Sequence, residues 1–324
     1  MLGIYMTGSK ERAIAYRTFG HPKVKIVVEM GLGSCIGEWW HIADKLIGHG
    51  GVLLYERAGI HNSKPSKNPR TPRMIAEELK HLLDTPPHEG KLILVAHSQG
   101  GLYAQQFARL YPDMVEGLVL LDPLSAADNR FKMLLTPAEY KLSGVEKAAA
   151  LELIRVLATL KLGFLIRLFM KNAPPFYYYP HFSRAASKYI LDSYTKPASS
   201  KTAIAEYRLS HDPKHIAGLE NEEGFPPIPV ALITHSSEIY ADEIVEFGGA
   251  SSGLAIKIED IWQNIMKGYL HFGSVSKYFL AEKSGHYIHL SQPELIDEAI
   301  MWVKHVSIQS DTLPYESKNP ASQS

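Results

Sequence analysis

Apolar residues alternate along this chain between two rhythms. Val24 to Met30, Val52 to Tyr55, Leu92 to Val95, Val115 to Leu121, Val230 to Thr234 and Tyr278 to Ala281 are short, nearly unbroken apolar runs. That is the pattern of strands buried on both faces. Glu38 to Ile47, Thr71 to Leu83, Leu102 to Leu110 and the stretch to about Val306 instead carry apolar residues at helical spacing. Thr71-Pro72 supplies an N-cap and a first helical residue, and Ser291-x-x-Glu294 predicts a capping box. At the start, Ile4 to Met6 and Ala13 to Thr18 flank Thr7-Gly8-Ser9 and predict a hairpin. Strands alternating with helices predict an α/β fold: a mostly parallel sheet with right-handed crossovers and flanking helices.

Between Asp122 and Pro229 the alternation stops, leaving about a hundred residues of helical pattern without a convincing sheet strand. This predicts a helical cap over 123–228 inserted into a core made of 1–122 and 229–308. Leu151 to Met170 reads as a helix apolar on more than one face. It also holds Glu152, Arg155, Lys161 and Arg167, each costing a few kcal/mol at a bilayer centre, so it is not a spanning helix. The aromatic run Phe176 to Phe182, FYYYPHF, predicts either the roof of an apolar pocket or a surface buried against the core or a second subunit. From about Gln309 the chain turns rich in Ser, Pro, Asn and Gln and predicts a disordered tail.

The totals narrow the function classes. Lys plus Arg equals Asp plus Glu at 34 each, so no global field recruits nucleic acid, and the expected partner is a small molecule. The lone Cys35 permits no internal bridge, and the first twenty residues show no basic region leading into a long apolar core. Both features lead to the expectation of a cytoplasmic protein. Oligomeric state has no signature in the sequence.

Candidate chemistry centres on KLILVAHSQGG, Lys91 to Gly101, which delivers the Ser98 hydroxyl at a sharp turn between an apolar strand and a helix. The Gln99 N–H, opening that helix, is free to hold a developing oxyanion. Strand, A-x-S-x-G and helix, continued by GLYAQQFARLYPDMVEGLVLLDP, resemble the nucleophile elbow of the α/β-hydrolase fold, with Ala96 in place of the usual first glycine. The resemblance implies a serine hydrolase with a Ser, His and acid triad, carboxylic esters as the substrate class, and neither cofactor nor metal.

In EKSGHYIHLSQPEL the resemblance points to His286 as the general base, with His289 as its rival. For the acid two places stand open. Asp122 ends the strand GLVLLDP next to the nucleophile's strand, whereas Glu238, with Asp242 further on, follows the strand of Val230 to Thr234. Asp122 is favoured because the end of a buried strand is the more rigid mount. By resemblance Leu32, in EMGLGSC, donates the second oxyanion N–H.

Other readings of the same residues are weighed beside this one. Gly31-x-Gly33-x-x-x-Gly37 after a strand, with Glu56 ending the next, is a loose dinucleotide fingerprint whose spacing is one residue too long. Dehalogenases and epoxide hydrolases of the family carry an elbow aspartate, which is absent. An aminopeptidase would need acids in the insert to hold a free amine, and Glu206, Asp212, Glu220, Glu222 and Glu223 are candidates. Arg57 reads as a structural ion pair, Tyr103 as core. A ligand sensor with slow turnover is the alternative from another class.

Overall fold

The computed structural model describes residues 5–7, 13–143 and 148–312. Eight strands form one sheet: β1 (Tyr5–Thr7), β2 (Ile14–Phe19), β3 (Val24–Glu29), β4 (Gly51–Tyr55), β5 (His88–His97), β6 (Val115–Leu121), β7 (Pro229–His235) and β8 (Val275–Ala281). Their spatial order is β1-β2-β4-β3-β5-β6-β7-β8. β1 and β2 pair antiparallel, as does β2 with β4; from β4 to β8 every pairing is parallel. The opening hairpin pairs Tyr5 to Thr7 with Ile14 to Tyr16, while Ile4 and residues 8–12 lie outside the described residues.

The inner strands are covered on both faces, since side chains alternate across a strand. Tyr278 to Ala281, expected to be buried on both faces, instead belongs to the edge strand β8, which leaves Val275, Tyr278 and Leu280 exposed. On β5, Leu94 and Ala96 enter one core with Leu79, Phe107 and Ile258, from α2 (Pro72–Leu83), α3 (Gln99–Leu110) and α12 (Ser252–Met266). Ile93 and Val95 enter the other, with Trp39, Ile42 and Ile300, from α1 (Ile36–Leu46) and α14 (Glu294–Thr312). Each large aliphatic or aromatic side chain among these, removed from water, contributes about 1.5–3 kcal/mol.

Between β6 and β7 the described residues contain helices and no strand: α4 (Arg130–Leu134), α5 (Pro137–Leu142), α6 (Ala148–Thr159), α7 (Gly163–Met170), α8 (Arg184–Tyr194), α9 (Pro197–Ser210) and α10 (Pro213–Ile216). The remaining helices are α11 (Ser237–Gly248), between β7 and α12, and the short α13 (Ile288–Ser291).

Three expectations need correction. Leu151 to Met170 is not one helix; the backbone turns at Lys161, at φ 59°, and splits it into α6 and α7. Ser291 does not cap α14, since it closes α13 and its hydroxyl donates to the Tyr287 carbonyl. Pro293 separates the two helices, lacking the N–H that would continue the first. α14 also runs to Thr312, past the expected start of a tail at Gln309; 313–324 lie outside the described residues.

Candidate active site

β5 ends at His97 and α3 begins at Gln99, so one residue makes the whole turn. Ser98 does so at φ 53° and ψ −125°, a conformation that L-residues rarely adopt. The turn is held from both sides. The Ser98 N–H donates to the Leu121 carbonyl (3.0 Å), and the Ser98 carbonyl accepts from Gly101 (2.9 Å) and Leu124 (2.7 Å). Such a turn also demands close approach of backbones. A Cβ on Gly100 would lie 2.1 Å from the Glu29 carbonyl oxygen, and one on Gly101 2.3 Å from Pro123.

Three side chains meet in sequence. His286 Nε2 is 3.0 Å from Ser98 Oγ, and His286 Nδ1 is 3.2 Å from Asp122 Oδ2. His286 lies in the loop after β8 and Asp122 directly after β6, so the carboxyl ends of the parallel strands bring them together. His97, one residue before the serine, donates from Nε2 to the His286 carbonyl (2.9 Å) and fixes that loop. Geometrically, Ser98 Oγ can pass a proton to an imidazole whose far nitrogen is held by a carboxylate.

Asp122 is itself held by a residue that no sequence motif indicated. It is buried, with φ 42°. His235, the last residue of β7, donates its backbone N–H to Oδ1 (2.9 Å) and its Nδ1–H to Oδ2 (2.5 Å). The opposite ring nitrogen of His235 reaches Glu259 at 3.1 Å, and Trp262 stacks on the ring. Burial opposes charge on both partners, but the pairing outweighs it. His235 is pushed up to about 10 by its two carboxylates, and Asp122 is held below the ordinary aspartate value by His235 and the hydrogen bonds it receives. An imidazolium thus sits behind the carboxylate at neutral pH. His235 was invisible in the sequence because its role depends on the alignment of three strands rather than on a local pattern.

A cavity of about 80 Å³ opens over Ser98 and His286, lined also by Leu32, Gln99, Tyr207 and His211. Asp128 lines it too. Its carboxyl is pushed up to about 7 by burial, and its Oδ1 has no hydrogen-bond partner among the described residues. Asp128 lies in a single 3-10 turn, Ala126–Asn129, after β6 and had no signal in the sequence.

The model of the alpha/beta hydrolase family matches residues 31–299. The chain belongs to that family. Over 104 residues it is 32% identical to the uncharacterized protein YqjL of Bacillus subtilis and 28% identical to the human (lyso)-N-acylphosphatidylethanolamine lipase. The matched stretches are 32% and 31% of this chain and span only 41% and 30% of those relatives' lengths. Among solved structures, a putative alpha/beta hydrolase from Nostoc sp PCC 7120 has a TM-score of 0.70 at 16% identity, covering 93% of this chain and 97% of the other. The epoxide hydrolase CorEH (TM-score 0.64, 16% identity, 94% and 99% covered) and a thermophilic esterase from Thermogutta terrifontis (0.59, 18%, 94% and 98%) share the fold.

Within this alpha/beta hydrolase the rival residues lie elsewhere. His289 is buried behind His97, 3.1 Å from Glu38 and stacked on Trp39. Glu238 sits in the first turn of α11 and lines a separate cleft with Asp242 and Asp260, away from His286. The glycine loop does not form a nucleotide cradle. A Cβ on Gly37 would lie 2.9 Å from Tyr189, and Glu56 is engaged by Tyr189 (2.7 Å) and the Asn62 N–H (3.0 Å). Tyr103 is buried and hydrogen-bonded to Gln99 and Ser210.

Glu206, a candidate for holding a substrate amine, is consumed inside the protein. It is fully buried on α9 and pairs with Arg57 (3.0 Å) and Arg70 (3.1 Å). Arg57 reaches Glu29 as well, at 3.0 Å, and donates to the carbonyls of Met30 (2.7 Å) and Gly31 (2.8 Å). The expected ion pair of Arg57 is therefore a network that ties the loop after β3 to α9. Removing Glu206 takes away the carboxylate shared by two buried guanidinium groups and leaves Arg57 with Glu29 and Arg70 with Glu78. Glu206→Gln should lower folding stability by about 3–5 kcal/mol, read from urea unfolding; a change under about 1 kcal/mol would mean the network contributes no more than a surface pair.

Proposed function

We propose that this alpha/beta hydrolase is a serine hydrolase cleaving carboxylic esters of a small, apolar substrate. The observation that carries the reading is the hydrogen-bonded chain Ser98, His286, Asp122 on a strained elbow. Ser98 Oγ attacks the acyl carbon as His286 Nε2 takes its proton; Asp122 keeps Nδ1 protonated and stabilises the imidazolium. The Leu32 and Gln99 N–H groups receive the oxyanion. Collapse of the tetrahedral species expels the alcohol, protonated by His286, and leaves an acyl-serine. Water, deprotonated by His286, then releases the acid and restores the serine. No cofactor or metal enters this sequence of steps.

Arg57 supports the oxyanion role of Leu32. It grips the Gly31 carbonyl, and in a trans peptide the N–H of the next residue points the opposite way. Holding that carbonyl therefore aims the Leu32 N–H, and a cation on the oxygen strengthens the donor.

In this reading 1–122 and 229–308 form the catalytic core and 123–228 a cap, with Tyr207 and His211 over the nucleophile. The cavity of about 80 Å³ is far below the few hundred Å³ that hold a drug-sized ligand. That favours short acyl groups or a cap that opens. The test is a series of p-nitrophenyl esters of increasing acyl length, run beside fluorophosphonate labelling. Turnover highest at short acyl lengths, with label on Ser98, is expected; an unlabelled, inactive yet folded protein overturns the assignment and leaves the ligand-sensor reading.

One observation favours a second reading, an amide hydrolase acting on a substrate with a free amine. Asp128 places a buried carboxyl with an unengaged oxygen in the cavity wall. Amino-acid anilides in the same series decide it: hydrolysis faster than that of the esters, lost in Asp128→Asn, would replace the ester assignment.

A further inference from the structure

The helical stretch that tempts a membrane reading in the sequence is folded as a hairpin with two apolar faces. The inner face, Ala158, Ile166 and Met170, packs with Ile154, Leu157, Leu191 and Tyr194. The outer face is left in solvent. Leu153, Val156 and Leu160 are 60%, 42% and 63% exposed along α6 and its end, and Phe164, Leu168 and Phe169 are 64%, 59% and 68% exposed along α7. Leu153, Val156 and Leu160 are three and four residues apart and Phe164 and Leu168 four apart, so each helix carries a stripe, which Phe169 widens on α7. A helix apolar all round is ordinarily buried, so a row of six large exposed side chains marks a surface with a partner.

Charge selects the partner. From Ala148 to Lys171 the chain holds four cations, Arg155, Lys161, Arg167 and Lys171, and one acid, Glu152, giving +3 in a protein whose total is zero. Glu152 is bridged to Arg155 and Arg208, and Arg167 to Asp192, while Lys161, in the turn between the helices, and Lys171, just past α7, stand exposed at the rim of the apolar stripe. A second copy docked through a two-fold axis would set the same cations against themselves.

We propose that the α6–α7 hairpin is a docking surface for an anionic phospholipid bilayer. It lies flat, with Leu160, Phe164, Leu168 and Phe169 in the acyl boundary and Lys161 and Lys171 among the lipid phosphates. α6 packs along α9, whose Tyr207 and following His211 line the cavity over Ser98. The proposed docking hairpin and the wall of the cavity are thus joined through α6 against α9. The surface itself stands whatever bond is cleaved.

The experiment is vesicle co-sedimentation of the full chain, with phosphatidylcholine alone and with one quarter phosphatidylglycerol. Binding to the anionic vesicles, weakened by salt, is expected. Phe164→Ser with Phe169→Ser should reduce that affinity roughly tenfold or more, and Lys161→Glu with Lys171→Glu should abolish the preference for anionic over neutral vesicles. Both variants alter exposed side chains, so thermal melting and turnover of a soluble ester in vesicle-free buffer should match the parent. Absence of vesicle binding, or binding that both variants leave within about twofold, overturns the proposal. So does a dimer in sedimentation velocity that the phenylalanine variant dissolves, which would assign the face to a second copy.

Discussion

Ser98→Ala should lower ester turnover by about 10³-fold or more, with KM changed far less. The reason lies in what the hydroxyl alone supplies. Removing Oγ leaves Leu32, Gln99 and the cavity wall in place, so substrate still binds and the oxyanion donors still act on a water attack. What is lost is the positioned nucleophile 3.0 Å from His286 Nε2. The turn itself should survive, because it is held by backbone hydrogen bonds to Leu121, Gly101 and Leu124 rather than by the side chain. Unchanged melting with lost turnover and lost fluorophosphonate label is the expected result. Turnover within tenfold of the parent would remove Ser98 from the chemistry.

Asp122→Asn should cost about 10⁴-fold in turnover, because an amide cannot hold His286 in the tautomer that receives the serine's proton. Here it should also cost stability. The carboxylate is shared between His286 and the buried His235, and the substitution leaves His235 with Glu259 as its only anionic partner. Two readouts therefore move together: kcat falls, and the melting temperature drops by several degrees. The pH dependence has a definite sign. His235 has its folded pKa raised from 6.5 to about 10, so the stability it contributes is complete below pH 6.5 and is lost as pH rises through about 10. The parent protein should soften over that window, and Asp122→Asn should soften less, because only Glu259 remains to hold the His235 charge. Glu238→Gln, altering a side chain in a different cleft, should leave kcat within about twofold. A larger loss there than in Asp122→Asn would move the acid to α11.

Much of this arrangement is legible in the amino-acid sequence. Unbroken apolar runs between helical repeats predict a sheet, and β3 to β8 lie where the six runs stand, with β1 and β2 at the opening hairpin. Ser98 was legible because the elbow pattern is local: a strand, a small-residue turn and a helix between Leu92 and Leu110. His286 followed from the resemblance carried by EKSGHYIHLSQPEL after the last strand. The helix boundaries were less so. Lys161 is an ordinary helix former, yet its left-handed backbone and the non-helical Leu162 separate α6 from α7; Ser291 had the spacing of a cap, but Pro293 reset the helix start.

The acid shows where local reading stops. Asp122 and Glu238 each follow a strand, and each stood open until β6 and β7 were set side by side with Ile233 accepting the Asp122 N–H. That pairing aims Asp122 at His286 and seats His235 behind it, while α11 carries Glu238 outward. The amino-acid sequence by itself determined the α/β architecture, the elbow serine and the order of the candidate chemistry, because periodicity and turn geometry act within a few residues. Only the tertiary structure decided which carboxylate meets the imidazole, that His235 and Glu259 stand behind it, that Glu206 belongs to an internal ion network, and that α6 and α7 turn an apolar face to solvent. Those outcomes depend on contacts between residues 24 to 188 apart in the chain, which strand pairing and packing create and no local pattern encodes.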